Sequence, residues 1–285
     1  MLGVMPDNTN VVLIGHVCID HNDNESITYT SWGSPLMYIA EYCQMYLKNK
    51  PILIAPYGHD FDPYAKDVNL LIEAQEESTL VYKNHTINGK RIQSCEHAKY
   101  SSPVKLTPLI NRAVAEADII ALTPLLPNYT TKYVRNLLAN RKSNCLSVLL
   151  PQGYFRHVNA DGSIAPRKFE EAAEIISLFD MVIFSDEDTS EPFKKAKQWA
   201  RHTPGNIIVT QGESGASVIT SSGVTQVTTQ AVPLDEIVDS VGCGDIFSMA
   251  AMSSFYQDRD IIKAVRAGNE TARARLFQPN LAKNL

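Results

Sequence analysis

Short apolar runs alternate along this chain with longer stretches in which apolar residues recur at helical spacing. The runs at 11–14, 52–55, 119–122, 146–150, 181–184 and 207–210 lack a polar face, as strands buried on both sides do. Between them, 36–47 has the helical pattern, and so does 169–179 through Phe169, Ala172, Ala173, Ile176 and Phe179. A last stretch, 261–276, carries Ile262, Val265, Asn269 and Ala272 along one face. This alternation predicts a three-layer α/β/α sandwich with a mostly parallel central sheet. Ligands in such a sheet sit at the carboxyl ends of the strands.

Two segments fit the sandwich poorly. Residues 26–32 alternate Ile27, Tyr29 and Ser31 against Ser26, Thr28 and Thr30. Residues 80–83 and 86–93 read as a polar hairpin turning at Asn88-Gly89, a strong hairpin signal. Segments near 24–33 and 79–98 therefore form either a small β lid over a site or a pair of surface hairpins. No internal repeat is evident, and residues 1–285 are expected to make one α/β domain with that lid.

With 44% hydrophobic and 20% charged residues, the chain has the composition of a folded protein with a large core. Its net charge of −5 disfavours nucleic acid or an anionic membrane as a partner. The five cysteines (Cys18, Cys43, Cys95, Cys145, Cys243) are scattered, with no C-x-x-C, so neither a disulfide framework nor a zinc site is suggested. Residues 1–10 lack the basic and apolar regions of a secretory leader, and no apolar run approaches the ~20 residues of a membrane span. A cytoplasmic protein is expected.

The densest chemical signal is Asp239-Ser240-Val241-Gly242-Cys243-Gly244-Asp245-Ile246-Phe247. Its glycines allow close backbone approach to a ligand, and the N–H groups opening the following helix would face an anion. Asp245 beside a bound phosphate would be placed to take a proton from an attacking hydroxyl. A dinucleotide fingerprint fails because Phe247 stands at the third glycine position, and no Walker-type P-loop occurs. An ordinary glycine-rich turn, with Asp245 as a first-turn acid, also fits these residues.

The segment resembles the Asp-Thr-x-Gly-Ala-Gly-Asp signature of the ribokinase-like, or PfkB, family of carbohydrate kinases. Further matches follow in the family's order over about residues 10–278. Val11-Val12-Leu13-Ile14-Gly15 with Asp20 resembles the first strand and its substrate-binding aspartate, and Gly33-Ser34-Pro35 the substrate loop. Ala55-Pro56-Tyr57-Gly58-His59-Asp60 is similar to a Gly-x-Asp turn. The stretch 207–216, with Thr210, Gly212 and Gly215, resembles the nucleotide segment Thr-x-Gly-x-x-Gly. Ala267-Gly268-Asn269 falls where a late helix carries a nucleotide-side Asn.

The resemblance implies ATP-dependent phosphoryl transfer to a hydroxyl of a small sugar or polyol. Asp245 would be the base, and Gly242, Cys243 and Gly244 the anion hole. Asp20, Gly33, Ser34 and Arg156 would meet the substrate; Arg156 lies in a Gln-Gly-x-x-Arg segment similar to that of plant inositol kinases. Taken alone, Asp20 also reads as a loop acid, Arg156 as a surface cation, and 207–220 as a plain hairpin. Mg2+ would arrive with ATP, and Asp239 and Val241 match positions that hold a monovalent cation, such as K+, in many members. Lids of this family often pair across dimers, which leaves a homodimer open.

Four positions depart from the pattern. Ser185 and Asp188 stand where an Asn-x-x-Glu organises Mg2+ and nucleotide phosphates through water. Trp32 replaces a glycine of the substrate loop, Thr123-Pro124-Leu125-Leu126-Pro127 lacks the substrate-side Glu of ribokinases, and Ala250 replaces a helical glycine. Ribose is thereby disfavoured. Two other readings stay open: a catalytically degenerate member that binds nucleotide or polyol and regulates a partner, and a nucleoside kinase on the same fold.

Overall fold

The computed structural model describes residues 9–24, 27–87, 90–203 and 205–279. The first strands are β1 (Val11–Gly15), β2 (Cys18–Asn24), β3 (Ile27–Gly33), β4 (Ile52–Ile54), β5 (Asn69–Leu70), β6 (Leu80–Ile87) and β7 (Lys90–Glu96). They are followed by β8 (Ile119–Thr123), β9 (Leu146–Leu149), β10 (Arg156–Val158), β11 (Ile164–Pro166), β12 (Met181–Ser185), β13 (Asn206–Thr210), β14 (Ala216–Thr220) and β15 (Gly223–Val227). The helices are α1 (Pro35–Tyr46), α2 (Asp62–Ala65), α3 (Pro108–Glu116), α4 (Thr131–Leu138), α5 (Ala172–Ile176), α6 (Pro192–Trp199), α7 (Cys243–Asp258) and α8 (Ile261–Arg275).

A nine-stranded sheet in the order β15-β14-β13-β12-β9-β8-β1-β4-β5 forms the centre. From β5 to β13 every neighbouring pair is parallel; β14 and β15 complete one edge as antiparallel strands. Strand side chains alternate between faces, so Val11 and Leu13 join a core with α1, α7 and α8, whereas Val12 and Ile14 join a second core with α3 to α6. Burial on both faces explains why these strands are unbroken apolar runs. All six predicted runs are strands of this sheet.

The predicted helix over 169–179 is shorter: only Ala172–Ile176 is helical. Phe169 stacks on Tyr154 with centroids 4.2 Å apart, and both Phe169 and Phe179 are buried beyond the helix ends. Their apolar spacing serves packing, which overrides local periodicity. Among the described residues no helix is long and apolar enough to cross a membrane.

A separate four-stranded sheet, β3-β2-β6-β7, rises from the carboxyl end of β1. It includes the hairpin segments read from the sequence, with Asn88 and Gly89 outside the described residues. It also includes β2, so Asp20 lies inside a strand and not on a loop. The β10–β11 hairpin attaches to β7, where the Cys95 N–H donates to the Gly162 carbonyl at 2.8 Å.

Candidate active site

The parallel strands point their carboxyl ends at one edge of the central sheet, and a cavity of about 370 Å3 opens there. It brings together Asp20, Ser34, Arg156 and the α7 entrance at Gly242, Cys243, Gly244 and Asp245. A smaller cavity of about 100 Å3 adjoins it, lined by Ser185, Asp188 and Thr210. Gly244 and Asp245 border both. Asp245 therefore stands at the junction of two compartments.

Its electrostatics follow from that position. Desolvation by the surrounding protein, reinforced by the nearby Asp188 carboxylate, raises the Asp245 pKa to about 7, with the Arg156 cation pulling the other way. Asp188 is shifted upward too, chiefly by burial. One Asp188 oxygen accepts the Ser185 N–H at 2.8 Å and the other a Gln152 amide hydrogen at 3.4 Å. The shorter carboxylate is thus folded back onto its own turn.

The α7 entrance is a tight turn. Gly242 has φ +78, and a Cβ there would lie 2.5 Å from Tyr38 Cδ1. The Cys243 N–H donates to the Ser240 carbonyl at 3.3 Å, whereas among the described residues no backbone carbonyl accepts from the N–H groups of Gly242 or Gly244. Two of the three predicted donors are therefore not tied to a backbone carbonyl. The Cys243 thiol points away, towards the Ala272 carbonyl at 3.7 Å, and burial pushes its pKa up to about 11. That is not the setting of a nucleophile.

The four-stranded sheet lines the cavity through Cys18, Asp20, Tyr82 and Gln93. Strand register puts Asp20, Asn22, Ser31, Tyr82, Asn84 and Gln93 on one side. Gln93 donates to Asn84 (2.8 Å), Asn84 to Asn22 (3.0 Å) and Asn22 to Ser31 (3.4 Å), a chain that crosses all four strands. The Arg156 guanidinium donates to the Tyr82 hydroxyl at 3.3 Å. Gly33 packs behind Asp20, since a Cβ on it would stand 2.4 Å from the Asp20 carboxyl carbon. Ser34, with φ 102, holds a left-handed conformation unusual for a side-chain-bearing residue while capping α1 through Met37 N–H.

Gly212, Gly215, Asp239 and Asn269 line neither cavity, whereas Val241 borders the larger one. Gly212 and Gly215 form the turn between β13 and β14; at Gly215 a Cβ would meet the Val227 carbonyl oxygen at 2.3 Å. Asn269 is buried and donates to the Val227 carbonyl at 3.0 Å, tying α8 to β15. Asp239 accepts the Val241 N–H at 2.7 Å, and the Val241 carbonyl accepts from Arg275 at 3.3 Å. With a guanidinium already on that carbonyl, these residues do not fit a monovalent cation. Trp32 is not in the cavity but packs edge-to-face on Tyr38 with centroids 4.9 Å apart.

Tyr38, Tyr82, Gln93 and Gln152 also line the cavity, and the sequence reading did not single them out. Tyr38 was hidden in an apolar helical pattern. The other three had a signal: Tyr82 and Gln93 lie in the polar hairpin segments 80–83 and 86–93, and Gln152 opens the Gln-Gly-x-x-Arg segment.

The profile of the pfkB family of carbohydrate kinases matches residues 67–285. This chain belongs to that family. No curated protein matches the chain. Among solved structures, a sulfate complex of a pyrophosphate-dependent kinase in the ribokinase family superposes with a TM-score of 0.75 at 15% identity, covering 96% of this chain and 97% of that one. The Arabidopsis thaliana ribokinase, complexed with ribose and ATP, gives 0.70 at 14% identity over 95% and 94%. The Methanocaldococcus jannaschii nucleoside kinase gives 0.68 at 17% identity over 99% and 96%. At these identities the likeness shows the fold, which is that of the ribokinase family.

Proposed function

We propose that this pfkB-family chain transfers a phosphoryl group from ATP to a hydroxyl of a small polyol or sugar. The observation that carries the reading is Asp245, a carboxylate with its pKa raised to about 7, between two cavities and beside the cavity-lining Gly242 and Gly244. A base with that pKa accepts a proton near neutral pH. The acceptor hydroxyl gives its proton to the Asp245 carboxylate as its oxygen attacks the terminal phosphorus. The bond from that phosphorus to the leaving diphosphate breaks, and the Gly242 and Gly244 N–H groups receive the charge on the transferred oxygens. Arg156 adds a fixed cation on the same side.

The polar sheet face supports a polyol acceptor. Asp20 and the Gln93 amide, both lining the cavity, match hydroxyl groups, whereas a nucleobase is usually held on apolar or aromatic surface. The four-stranded sheet acts as the lid of this site. Asp188 and the hydroxyls of Ser185 and Thr210 offer oxygen donors suited to a hard cation. They fit Mg2+ carried on donor phosphates; when bound, it neutralises phosphate charge. Among the described residues no cluster of three acidic, His or Cys side chains would hold a metal alone.

The donor has a second reading. Asn269, expected on the nucleotide side, is engaged by Val227, and one similar fold belongs to a pyrophosphate-dependent kinase. The test is phosphate transfer from ATP and from pyrophosphate, with Mg2+, across inositols, hexoses, pentoses and nucleosides, beside Asp245→Asn. Acceptor-dependent turnover that collapses in the variant is expected. Donor and acceptor binding without turnover would favour a non-catalytic member, and turnover on nucleosides alone a nucleoside kinase.

A further inference from the structure

Arg275 ends α8 and is one of the few charged side chains that the fold buries, at 3% exposure. Nη1 donates to the Gln278 carbonyl at 2.7 Å and Nη2 to the Val241 carbonyl at 3.3 Å, while Nε has no partner. Asp239 holds the N–H of the same Val241 at 2.7 Å. Residue 241 is therefore gripped at both ends of its backbone, immediately before the Gly242 turn that aims the N–H groups of α7 at the cavity. The groups on this grip are Asp239 from the loop and Arg275 from α8; both act on the adjoining Cys243, and Asp245 also reaches it.

A buried guanidinium bonded to a loop carbonyl does two things that a bound alkali cation would do. It orients that carbonyl away from the anion, and it places a fixed positive charge behind the loop. It also repels a second cation from the same oxygen, because like charges in a poorly solvated site interact strongly. We propose that Arg275 is the positioning residue of the Gly242–Gly244 loop, an internal cation that makes the loop competent for phosphate without added potassium. This inference rests on reading that loop as the anion site of a kinase.

Two readouts test it. Wild-type turnover, measured with the active donor and acceptor in potassium, sodium and tetramethylammonium salts at one ionic strength, should agree within about twofold; stimulation of roughly tenfold or more by potassium would overturn the inference. Arg275→Ala should lower kcat about tenfold or more with acceptor KM little changed, and guanidinium or potassium should restore part of the loss. Loss of activity with no rescue by either cation, in a variant that melts like wild type, would reduce Arg275 to packing and overturn the proposal. Should Arg275→Ala fail to fold, Arg275→Lys serves: it keeps the charge and should retain most of the activity, and its inactivity in a folded state would count against the proposal.

Calorimetry of inorganic pyrophosphate binding separates this inference from the kinase reading. Binding of equal strength in potassium and tetramethylammonium, in a protein that turns over no acceptor, would sink the kinase reading and support the role of Arg275. Binding that needs potassium would sink the role of Arg275 and leave the kinase reading standing.

Discussion

The ring of Tyr38 lies against Gly242 so closely that a Cβ at position 242 would stand 2.5 Å from ring Cδ1. Trp32 packs on that ring in an edge-to-face contact, so a substrate-loop departure in sequence becomes a support for the phosphate loop in space. Gly242→Ala meets both the ring and the left-handed φ of +78. A turnover loss on the order of 10²-fold is expected if the loop N–H groups are misaimed. The φ strain should also lower stability by about 1–3 kcal/mol. Adding Tyr38→Ala should recover part of the melting temperature but little turnover, because the φ strain remains. Steady-state kinetics and thermal melts of the three proteins check this.

Asp188 and Asp245 are coupled like charges. Since Asp245 must be ionised to accept a proton, kcat/KM should rise with pH through about 7. Asp188→Asn removes a negative neighbour and should move this acidic limb to lower pH, whatever it does to the maximal rate. Asp245→Asn should remove about 10²–10⁴-fold of turnover at every pH while donor binding persists. Profiles of all three proteins from pH 5 to about 9 test the assignment.

The same burial makes Asp245 a liability for stability. Its folded pKa of about 7 lies above the unfolded carboxyl value of about 3.9, so the folded state binds the extra proton between those limits. Stability should therefore fall as pH rises through that window. Asp245→Asn, which cannot ionise, should match wild type near pH 4 and melt higher, by about 2 °C or more, at pH 8. An advantage that stays constant with pH would contradict the raised pKa.

Gly33→Ala would push a methyl group to 2.4 Å from the Asp20 carboxyl carbon. If Asp20 binds acceptor hydroxyls, its displacement should raise the acceptor KM by roughly 10–100-fold, the worth of charged hydrogen bonds, and leave the donor KM nearly unchanged. Equal changes in both KM values would point to a general loosening of the fold.

Much of this molecule was legible in the chain. Six strands of the central sheet announce themselves as apolar runs, because a strand covered on both faces has no polar side to show. The glycine turn before α7 was legible too, since Gly242 occupies a backbone region that side chains rarely adopt.

The helix within 169–179 is shorter than its spacing predicts for a physical reason: Phe169 and Phe179 obey helical spacing but are claimed by neighbours outside the helix. Tyr38 and Trp32 look like generic core aromatics until the fold sets one under Gly242 and the other beside it. Asn269 matched a nucleotide-side pattern, yet its amide turns inward to Val227. Arg275 carries no local motif; its place on the Val241 carbonyl exists only because α8 packs back across the entrance of α7.

Sequence by itself determined the layers, the family and the loop, because burial periodicity and glycine conformation are properties of neighbouring residues. Tertiary structure alone decided which groups face the cavity and which cation stands behind the loop, because those contacts join residues far apart in the chain, and no local pattern records them.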